Sequence, residues 1–357
     1  MPSFDIIKKS SPELTFRVSS VIGKFDLQNK EIVEHFKGDI QLPEQWSIGL
    51  IVGKSGTGKT TIAKQLFKNS YITNYTYNNK SILDDMPKDA SISEITKTFN
   101  SVGFSSPPSW LKPYEVLSNG EKMRVDLAKA ILSDKNLIVF DEFTSVVDRN
   151  VAQIGSFAMQ KAIRKSNKQF IAVTCHYDVE DWLLPDWIFN TDTMTFQLNE
   201  KQKKNRPDIR FKIYEAKNKS LWKMFAKYHY LDHKHNNAAH CYIATINDKI
   251  AGWISILHQP HPTATNLKKV HRLVILPDYQ GAGFGIKFLN EIGRFYKPKY
   301  RYTITTSAPS LIYALKKSNE WICKRYGRNK SQPDNTKKGG VGAISSSHRI
   351  TANFEMK

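Results

Sequence analysis

The sequence predicts an α/β protein of two domains, the first over residues 1–200 and the second, strongly basic, over residues 201–357. Two observations predict the α/β class: a glycine-rich loop follows an apolar strand near residue 53, and a second loop of different design follows another strand near residue 280. A third observation predicts the division into two domains, because the polar, proline-interrupted stretch 199–210 is typical of a linker. A chain of 357 residues is long enough for two such domains.

Charge is distributed unevenly between the two predicted domains. Residues 1–200 contain 23 Lys and Arg against 24 Asp and Glu, whereas residues 201–357 contain 30 against 9. All of the net charge of +20 therefore arises in the second domain. A one-sided excess of this size is more typical of a polyanion-binding domain than of a generally soluble surface, so we predict nucleic acid as a partner. A membrane surface is less favoured as a partner, because no lysine-rich amphipathic helix with a large apolar face stands out in the sequence.

Targeting signals and disulfides are not predicted. No apolar run approaches the roughly 20 residues that span a bilayer, and "MPSFDIIKKSSPELTF" lacks the features of a secretory signal. We expect a cytoplasmic protein with no membrane partner. Cys175, Cys241 and Cys323 are odd in number and widely spaced, so we expect reduced, mostly structural thiols.

The first glycine-rich loop has the context of a phosphate-binding loop. "WSIGLIVGKSGTGKTTIAKQLF" predicts a buried strand, a tight turn and a helix beginning near Lys59. Glycines let backbone N–H groups face the phosphates, Lys59 reaches the β and γ oxygens, and the Thr60 hydroxyl can hold Mg²⁺. We predict that ATP binds the residues Gly53, Ser55, Gly56, Gly58, Lys59, Thr60 and Thr61.

Two carboxylates follow a later strand. "NLIVFDEFTS" places Asp141 where it could hold Mg²⁺ and Glu142 where it could polarise an attacking water. Between this strand and the first loop, "VLSNGEKMRVDLAKAIL" predicts a loop followed by an amphipathic helix.

Together these segments resemble the ABC ATPase family over roughly residues 20–195. "LSNGE" is similar to its signature loop, which implies ATP contacts by Ser118 and Gly120, and "SVVD" is similar to its D-loop, which implies a role for Asp148. His176, after the strand "FIAVT", matches the switch histidine. In this family the signature loop of one domain completes the ATP site of another, so the resemblance implies a homodimer.

Two departures from the family are visible. The segment between Lys59 and "LSNGE" is short, so the helical arm that couples transporter ATPases to membrane partners would be short. No glutamine fits the Q-loop, and Asn78 and Asn79 are the nearest candidates. Soluble ABC ATPases that act on nucleic acid therefore resemble the chain better than transporter ATPases do.

The second glycine-rich loop follows a predicted hairpin. "HCYIATINDKIAGWISIL" predicts two strands around a tight turn, and "HRLVIL" predicts a further strand before the loop. Phe284, Phe288 and Ile292 then have helical spacing, so the N–H groups at the start of a helix would face a phosphate.

"RLVILPDYQGAGFG" resembles the acetyl-CoA pyrophosphate loop of the GNAT acyltransferases, Q/R-x-x-G-x-G/A. The resemblance implies a mixed central sheet and acetyl-CoA, or another acyl-CoA, as the donor. It also implies acyl-CoA contacts by Leu273, Val274, Gln280, Gly281, Gly283, Phe284 and Gly285.

Candidates for proton transfer are less specific. Tyr313, in the helix after "RYTITTS", could protonate the leaving thiolate, or it could be half-buried packing. His229 with Asp232 could deprotonate or orient the acceptor, or both could be solvated polar residues. The histidine spacing in this region does not predict a metal site.

The basic segment "WICKRYGRNKSQPDNTKKGGVGAISSSHR" could neutralise phosphates while Trp321 and Tyr326 stack on bases, or it could be a flexible loop before a last strand, "RITANFEM". The whole chain resembles ABC–GNAT fusions of bacteriophages and mobile elements. Its "KYHYLDH", "LVILPDYQGAGFG" and "TTSAPSL" stretches are similar to Mom-type GNAT proteins that modify adenine in DNA.

The two resemblances imply an ATPase and acyltransferase that acts on nucleic acid, with DNA favoured over RNA and an ATP-gated dimer controlling access. The alternatives are a tRNA or protein acetyltransferase, and an ATP-gated nucleic-acid binder whose GNAT fold is inactive.

Overall fold

The computed structural model describes residues 3–27, 32–72, 75–199, 209–229, 233–260, 266–328 and 350–357. Two compact units are present, and they do not follow the two halves of the sequence. The first unit contains residues 1–76 and 133–207, and the second contains residues 77–132 and 208–357. The boundary predicted near residue 200 stays a prediction, because residues 200–208 lie outside the described part of the chain.

The first unit contains a six-stranded sheet and a separate ribbon. The ribbon pairs β1 (Ser3–Ser10) with β2 (Ile32–Asp39) in antiparallel fashion, and α1 (Phe16–Phe25) lies between them in sequence. The sheet has the order β4-β5-β6-β3-β7-β8, parallel except for β8. Its strands are β3 (Ile48–Val52), β4 (Tyr71–Ile72), β5 (Leu137–Phe140), β6 (Gln169–Thr174), β7 (Trp187–Asn190) and β8 (Thr195–Leu198).

Apolar runs explain the central strands of this sheet. All five residues of β3 are buried, as expected for a parallel strand covered on both faces. The strands predicted at "IGLIV", "LIVF" and "FIAVT" are confirmed. Three helices accompany the sheet, α2 (Lys59–Leu66), α6 (Arg149–Ile163) and α7 (Val179–Leu183). Phe4 and Phe36 join the core that contains Ile51 and Val173, so the ribbon packs on the sheet.

The second unit contains a mixed seven-stranded sheet of order β14-β15-β13-β12-β11-β10-β9. Only β12 and β13 pair in parallel. The strands are β9 (Phe211–Glu215), β10 (His240–Ile246), β11 (Lys249–His258), β12 (Leu267–Ile275), β13 (Arg301–Thr306), β14 (Trp321–Arg328) and β15 (Ile350–Met356). The predicted hairpin is confirmed as β10–β11, with both turn residues, Asn247 and Asp248, in the left-handed region.

Helices cover this sheet. They are α8 (Trp222–Ala226), α9 (Phe284–Tyr296) and α10 (Pro309–Lys317). Phe288 and Ile292 of α9 pack into the core with Ile304 and Phe354, which confirms the predicted helical spacing. The parallel pairing of β12 with β13 covers the first three residues of each strand, and β12 continues to Ile275 beyond it. The two strands therefore diverge where β12 leads into the second glycine-rich loop.

Residues 77–132 belong to this unit although they precede it in sequence. They form α3 (Ile92–Ser101), α4 (Pro107–Trp110) and α5 (Asn119–Leu132). Ser91 and Glu94 close a capping box on α3, which explains where that helix begins. The rings of Phe99 and Phe104 meet edge to face at 5.3 Å, so this segment has its own apolar packing.

Candidate functional site

The phosphate-binding loop of the first unit has the geometry that its glycines predict. Gly56 and Gly58 have φ of 86° and 83°, in the left-handed region, and α2 begins at Lys59. A Cβ on Gly58 would lie 2.6 Å from the Phe36 ring, so glycine also allows the ribbon to pack under the loop. The Lys59 ammonium, on a buried side chain, donates to the Lys54 carbonyl at 2.6 Å. Free N–H groups at the start of α2 and this lysine provide an anion site.

Thr60 and Asp141, the two predicted Mg²⁺ ligands, lie side by side. The Thr60 hydroxyl donates to a carboxylate oxygen of Asp141 at 2.8 Å. A hydroxyl and a carboxylate are oxygen donors of the kind Mg²⁺ prefers, so these residues fit the ion. The Tyr71 hydroxyl donates to the same carboxylate. Burial, and then the Asp141 carboxylate, raise the pKa of Tyr71. No motif in the sequence indicates a role for this tyrosine.

Glu142 and His176 follow neighbouring parallel strands, β5 and β6. Glu142 is exposed and has φ of 52°, a left-handed backbone that non-glycine residues seldom adopt. Its N–H donates to Asp141 at 2.8 Å. Burial, and then the Arg149 charge, lower the pKa of His176, while Asp178 and Glu142 oppose this. The lowered pKa favours the neutral imidazole, which lies at the edge of the sheet where both strands end.

Two further aspartates stabilise the start of α6 and the phosphate-binding loop. Asp148 accepts from the Asn150 N–H at 2.9 Å and caps α6, so its side chain has a local structural role. Asp192 accepts from the Lys54 N–H at 2.8 Å, and it also binds the Tyr177 hydroxyl. No motif in the sequence pointed to Asp192.

The signature loop lies in the second unit, at the start of α5. Ser118 accepts from the Glu121 N–H at 3.3 Å, and Glu121 accepts from the Ser118 N–H at 3.1 Å. This capping box fixes the helix start, and the buried Ser109 hydroxyl donates to Glu121 at 2.9 Å. Gly120 lies in the first turn, where the helix dipole favours an anion.

The second glycine-rich loop connects β12 to α9 in the same unit. Gly281 and Gly283 have φ of 86° and 93°, and Gly283 directly precedes α9. All seven residues predicted to contact acyl-CoA line one cavity of about 430 Å³. This volume lies within the usual range for a small-molecule site. The start of α9 and the glycines fit the pyrophosphate of CoA, and the divergence of β12 from β13 leaves space for its extended arm.

Other walls of this cavity come from residues that the sequence did not single out. Tyr228 and residues 307–311 line it, and so do four residues of the 77–132 segment: Asn100, Ser105, Pro107 and Trp110. The Gln280 amide joins the loop to this segment, since its oxygen accepts from the Ser105 N–H at 2.8 Å and its nitrogen donates to the Ile275 carbonyl at 2.8 Å. The Gln280 side chain therefore stabilises the loop by hydrogen bonds on both sides.

The tyrosines near this cavity differ in placement. Tyr313 is 62% exposed, while Leu311 and Ala314 of the same helix line the cavity. Its proposed role in protonating the thiolate stays a prediction. Tyr228 is half-buried and lines the cavity, so it is the better-placed phenol.

His229 is buried, and its ring meets Trp222 at 6.0 Å. Asp232, its expected partner, lies outside the described residues. Trp222 also packs on His235, whose pKa is lowered by burial and by the Arg272 charge. His271 is the extra residue of a β-bulge in β12, because its neighbours Val270 and Arg272 pair with consecutive residues of β11. The centroid of its ring lies 5.7 Å from that of His235. His271 therefore lies on the strand that carries Leu273 and Val274, and His235 lies next to it.

The described part of the basic segment is β14. Tyr326 is 54% exposed, with the Lys316 ammonium 3.6 Å from its ring centroid. Trp321, expected beside it as a stacking surface, is buried instead and donates to Asn290 at 2.9 Å. Residues 329–349 of this segment lie outside the described part of the chain.

Comparison with known families matches both halves of the chain. Residues 199–310 match the acetyltransferase (GNAT) family, and residues 49–185 match the ATPase family associated with various cellular activities (AAA). The chain contains an ATPase region and a GNAT acetyltransferase domain. Both are families of enzymes, and their expected ligands are ATP and an acyl-CoA.

Similar curated proteins match the ATPase region. A probable ATP-binding cassette sub-family F member 3 homolog of Encephalitozoon cuniculi is 33% identical over 105 residues, which are 28% of this chain and 19% of that protein. The chain thus spans about a fifth of that relative. A probable peptide export ATP-binding protein of Bacillus subtilis is 27% identical over 45% of this chain and 80% of its own length.

Solved structures show weaker likeness. A dimeric ATP-binding cassette in a post-hydrolysis state, bound to ADP and phosphate, is 14% identical with a TM-score of 0.38, covering 53% of this chain and 92% of that one. A bacterial Atm1-family ABC exporter with ATP bound is 18% identical with a TM-score of 0.36, covering 46% and 34%. Within the described residues, every helix is too short or too polar to cross a membrane.

Proposed function

We propose that the protein is an ATP-dependent acyltransferase of the cytoplasm that transfers an acyl group from CoA to a nucleic acid, most favourably to a DNA base. The observation that carries the proposal is the cavity of about 430 Å³ at the end of β12, lined by all seven residues of the acyl-CoA pattern. The basic excess of residues 201–357 supports a polyanionic acceptor.

In the ATPase region, the residues suit phosphoryl transfer to water. Lys59 and the loop N–H groups would hold the phosphates, and Thr60 with Asp141 would hold Mg²⁺, which neutralises charge on the phosphate oxygens. Glu142 would orient the attacking water, with His176 beside it at the strand ends. Signature-loop residues Ser118 and Gly120 would complete the ATP site of a second copy, which makes the active form an ATP-gated homodimer.

In the GNAT domain, an acceptor nitrogen or oxygen would attack the thioester carbonyl. The carbon–sulfur bond breaks, the acceptor proton passes to a base, and the CoA thiolate takes up a proton. Tyr228 lines the cavity and could supply that proton. Burial, and then the Arg272 charge, lower the pKa of His235, which favours a neutral imidazole that could accept one. Chemistry on a base requires its exposure from the stack, and a nucleotide-gated dimer that deforms the duplex would serve this purpose.

The test is mass spectrometry of nucleosides from DNA and RNA of cells that express the wild type, the Gly283→Glu variant, or the Glu142→Gln variant. We expect an adduct in DNA from the wild type that disappears with Gly283→Glu. An adduct in tRNA would identify tRNA as the acceptor and would indicate a role in translation. No adduct in either nucleic acid would contradict the proposal and leave a protein acceptor or an inactive GNAT fold.

A further inference from the structure

The 77–132 segment contacts the acyl-CoA loop through a fully buried arginine. Arg124 lies on α5, one turn after Gly120, and its guanidinium donates to the Gly120 carbonyl at 3.1 Å. The same guanidinium donates to the Asp278 carbonyl at 3.0 Å, in the turn that precedes Gln280. One side chain therefore joins the signature loop to the backbone that leads into the acyl-CoA loop.

A buried guanidinium is unusual for a purely structural contact. Burial of a charge is costly unless its donors are bonded, and charge pairs usually compensate. Here the direct bonds go to two backbone carbonyls, while the Asp278 carboxylate, 4.0 Å away, and the Glu121 carboxylate favour the charged form from a greater distance. Nε of Arg124 has no hydrogen-bond partner among the described residues. An apolar side chain would fill this place at lower cost, so the two carbonyl contacts call for another explanation.

Two further contacts fix the same arrangement. A Cβ on Gly103 would lie 2.6 Å from the Gln280 carbonyl oxygen, and Gly103 has φ of 86°, so glycine alone allows this approach. The Ser105 N–H donates to the Gln280 amide at 2.8 Å. Gln280 is thus bonded from the 77–132 segment, and Ser105 itself lines the acyl-CoA cavity.

We propose that Arg124 is a positioning residue for the acyl-CoA loop, through which the ligand state of the signature loop, residues 117–121, sets the affinity for acyl-CoA. This inference rests on the proposed function. A helix transmits displacement over one turn with little loss, so a change at Gly120 is carried to Arg124 and on to Asp278. Linkage is reciprocal, so acyl-CoA binding also alters the affinity of the signature loop for ATP.

The experiment measures CoA binding to the full chain by titration calorimetry, with and without a non-hydrolysable ATP analogue and Mg²⁺. For the wild type we expect the analogue to change the Kd for CoA at least about fivefold, the lower end of ordinary allosteric coupling. For Arg124→Met we expect both ligands to bind while this ratio falls to about one. Arg124→Lys, which keeps the charge but replaces the guanidinium by a single ammonium nitrogen, restores part of the ratio.

Lys122→Met is the matched control, because Lys122 lies on the same helix and contacts the Tyr114 ring. It keeps the wild-type ratio. If Arg124→Met shows no folded melting transition, the Gly103→Ala variant tests the inference instead. It disturbs the same contact between the 77–132 segment and the acyl-CoA loop, so the ratio of the two Kd values for CoA should also fall to about one. A wild-type ratio of one with both ligands bound would overturn the inference, as would a wild-type ratio in Arg124→Met or Gly103→Ala. Failure of the wild type to bind CoA at all would instead overturn the proposed function.

Discussion

The two glycine-rich loops use the same backbone and differ in the side chains around it. Each follows a strand, places two glycines at φ between 83° and 93°, and leads into a helix whose N–H groups are free. The loop at 53–61 ends in Lys59 and Thr60 and lies beside Asp141, whereas the loop at 280–285 is followed by apolar cavity walls. In the proposed function, the first loop would bind a phosphate that is transferred, and the second would bind a phosphate that takes no part in the reaction.

The largest expected effect separates ATP turnover from ATP binding in the ATPase region. Glu142→Gln removes the carboxylate that orients water, so ATP hydrolysis should fall about 10²- to 10⁴-fold. ATP and CoA should still bind. Phosphate release measures the first effect, and size-exclusion chromatography with ATP should show a trapped dimer. A monomer that persists with ATP bound would contradict the ATP-gated dimer.

The second loop can be broken without affecting the first. Gly283→Glu places a side chain at φ of 93° and a negative charge beside the pyrophosphate, so CoA affinity should fall by about 100-fold or more. ATP hydrolysis measured without CoA should be unchanged. Gly285→Ala is the control, because its Cβ would lie at an ordinary 3.6 Å from Ile275. Equal losses in the two variants would show that the loop does not bind the pyrophosphate as described.

The two candidate phenols give a comparison within the second unit. Tyr228→Phe should lower acyl transfer by about 10²-fold with CoA affinity little changed, since Tyr228 lines the cavity. Tyr313→Phe, at an exposed position, should have an effect of less than about twofold. Single-turnover transfer from labelled acetyl-CoA measures both. The reverse order of effects would assign the proton transfer to Tyr313.

The smallest expected effect concerns nucleic acid. Arg325 is exposed on β14, next to Tyr326, so Arg325→Ala should remove about one phosphate contact. The slope of log K against log salt for duplex DNA should then become shallower by about 0.9. Fluorescence anisotropy over a salt series measures the slope. Glu320→Ala, an acidic control, should not make it shallower, and an unchanged slope in Arg325→Ala would place the nucleic acid elsewhere.

Local features of this chain could be predicted from the sequence, and long-range ones could not. The strands 48–52 and 137–140 are apolar runs of strand length, and both glycine-rich loops have a recognisable spacing. The positions of these strands and loops can therefore be predicted from the sequence. Arg124 occupies an ordinary position in an amphipathic helix, and nothing in its neighbours indicates a bond to Asp278. Basic neighbours make Trp321 a candidate for stacking on bases, yet it is the first residue of β14 and its ring enters the core.

The most direct test of the account is transfer of labelled acetyl from acetyl-CoA to duplex DNA by the purified full chain, with and without ATP. We predict label in DNA that requires ATP and is lost in both Glu142→Gln and Gly283→Glu. Label that requires Gly283 but not ATP would separate the two loops into independent functions. Absence of label on DNA, with acetyl-CoA bound and ATP hydrolysed, would contradict the central claim that both loops serve one reaction on nucleic acid.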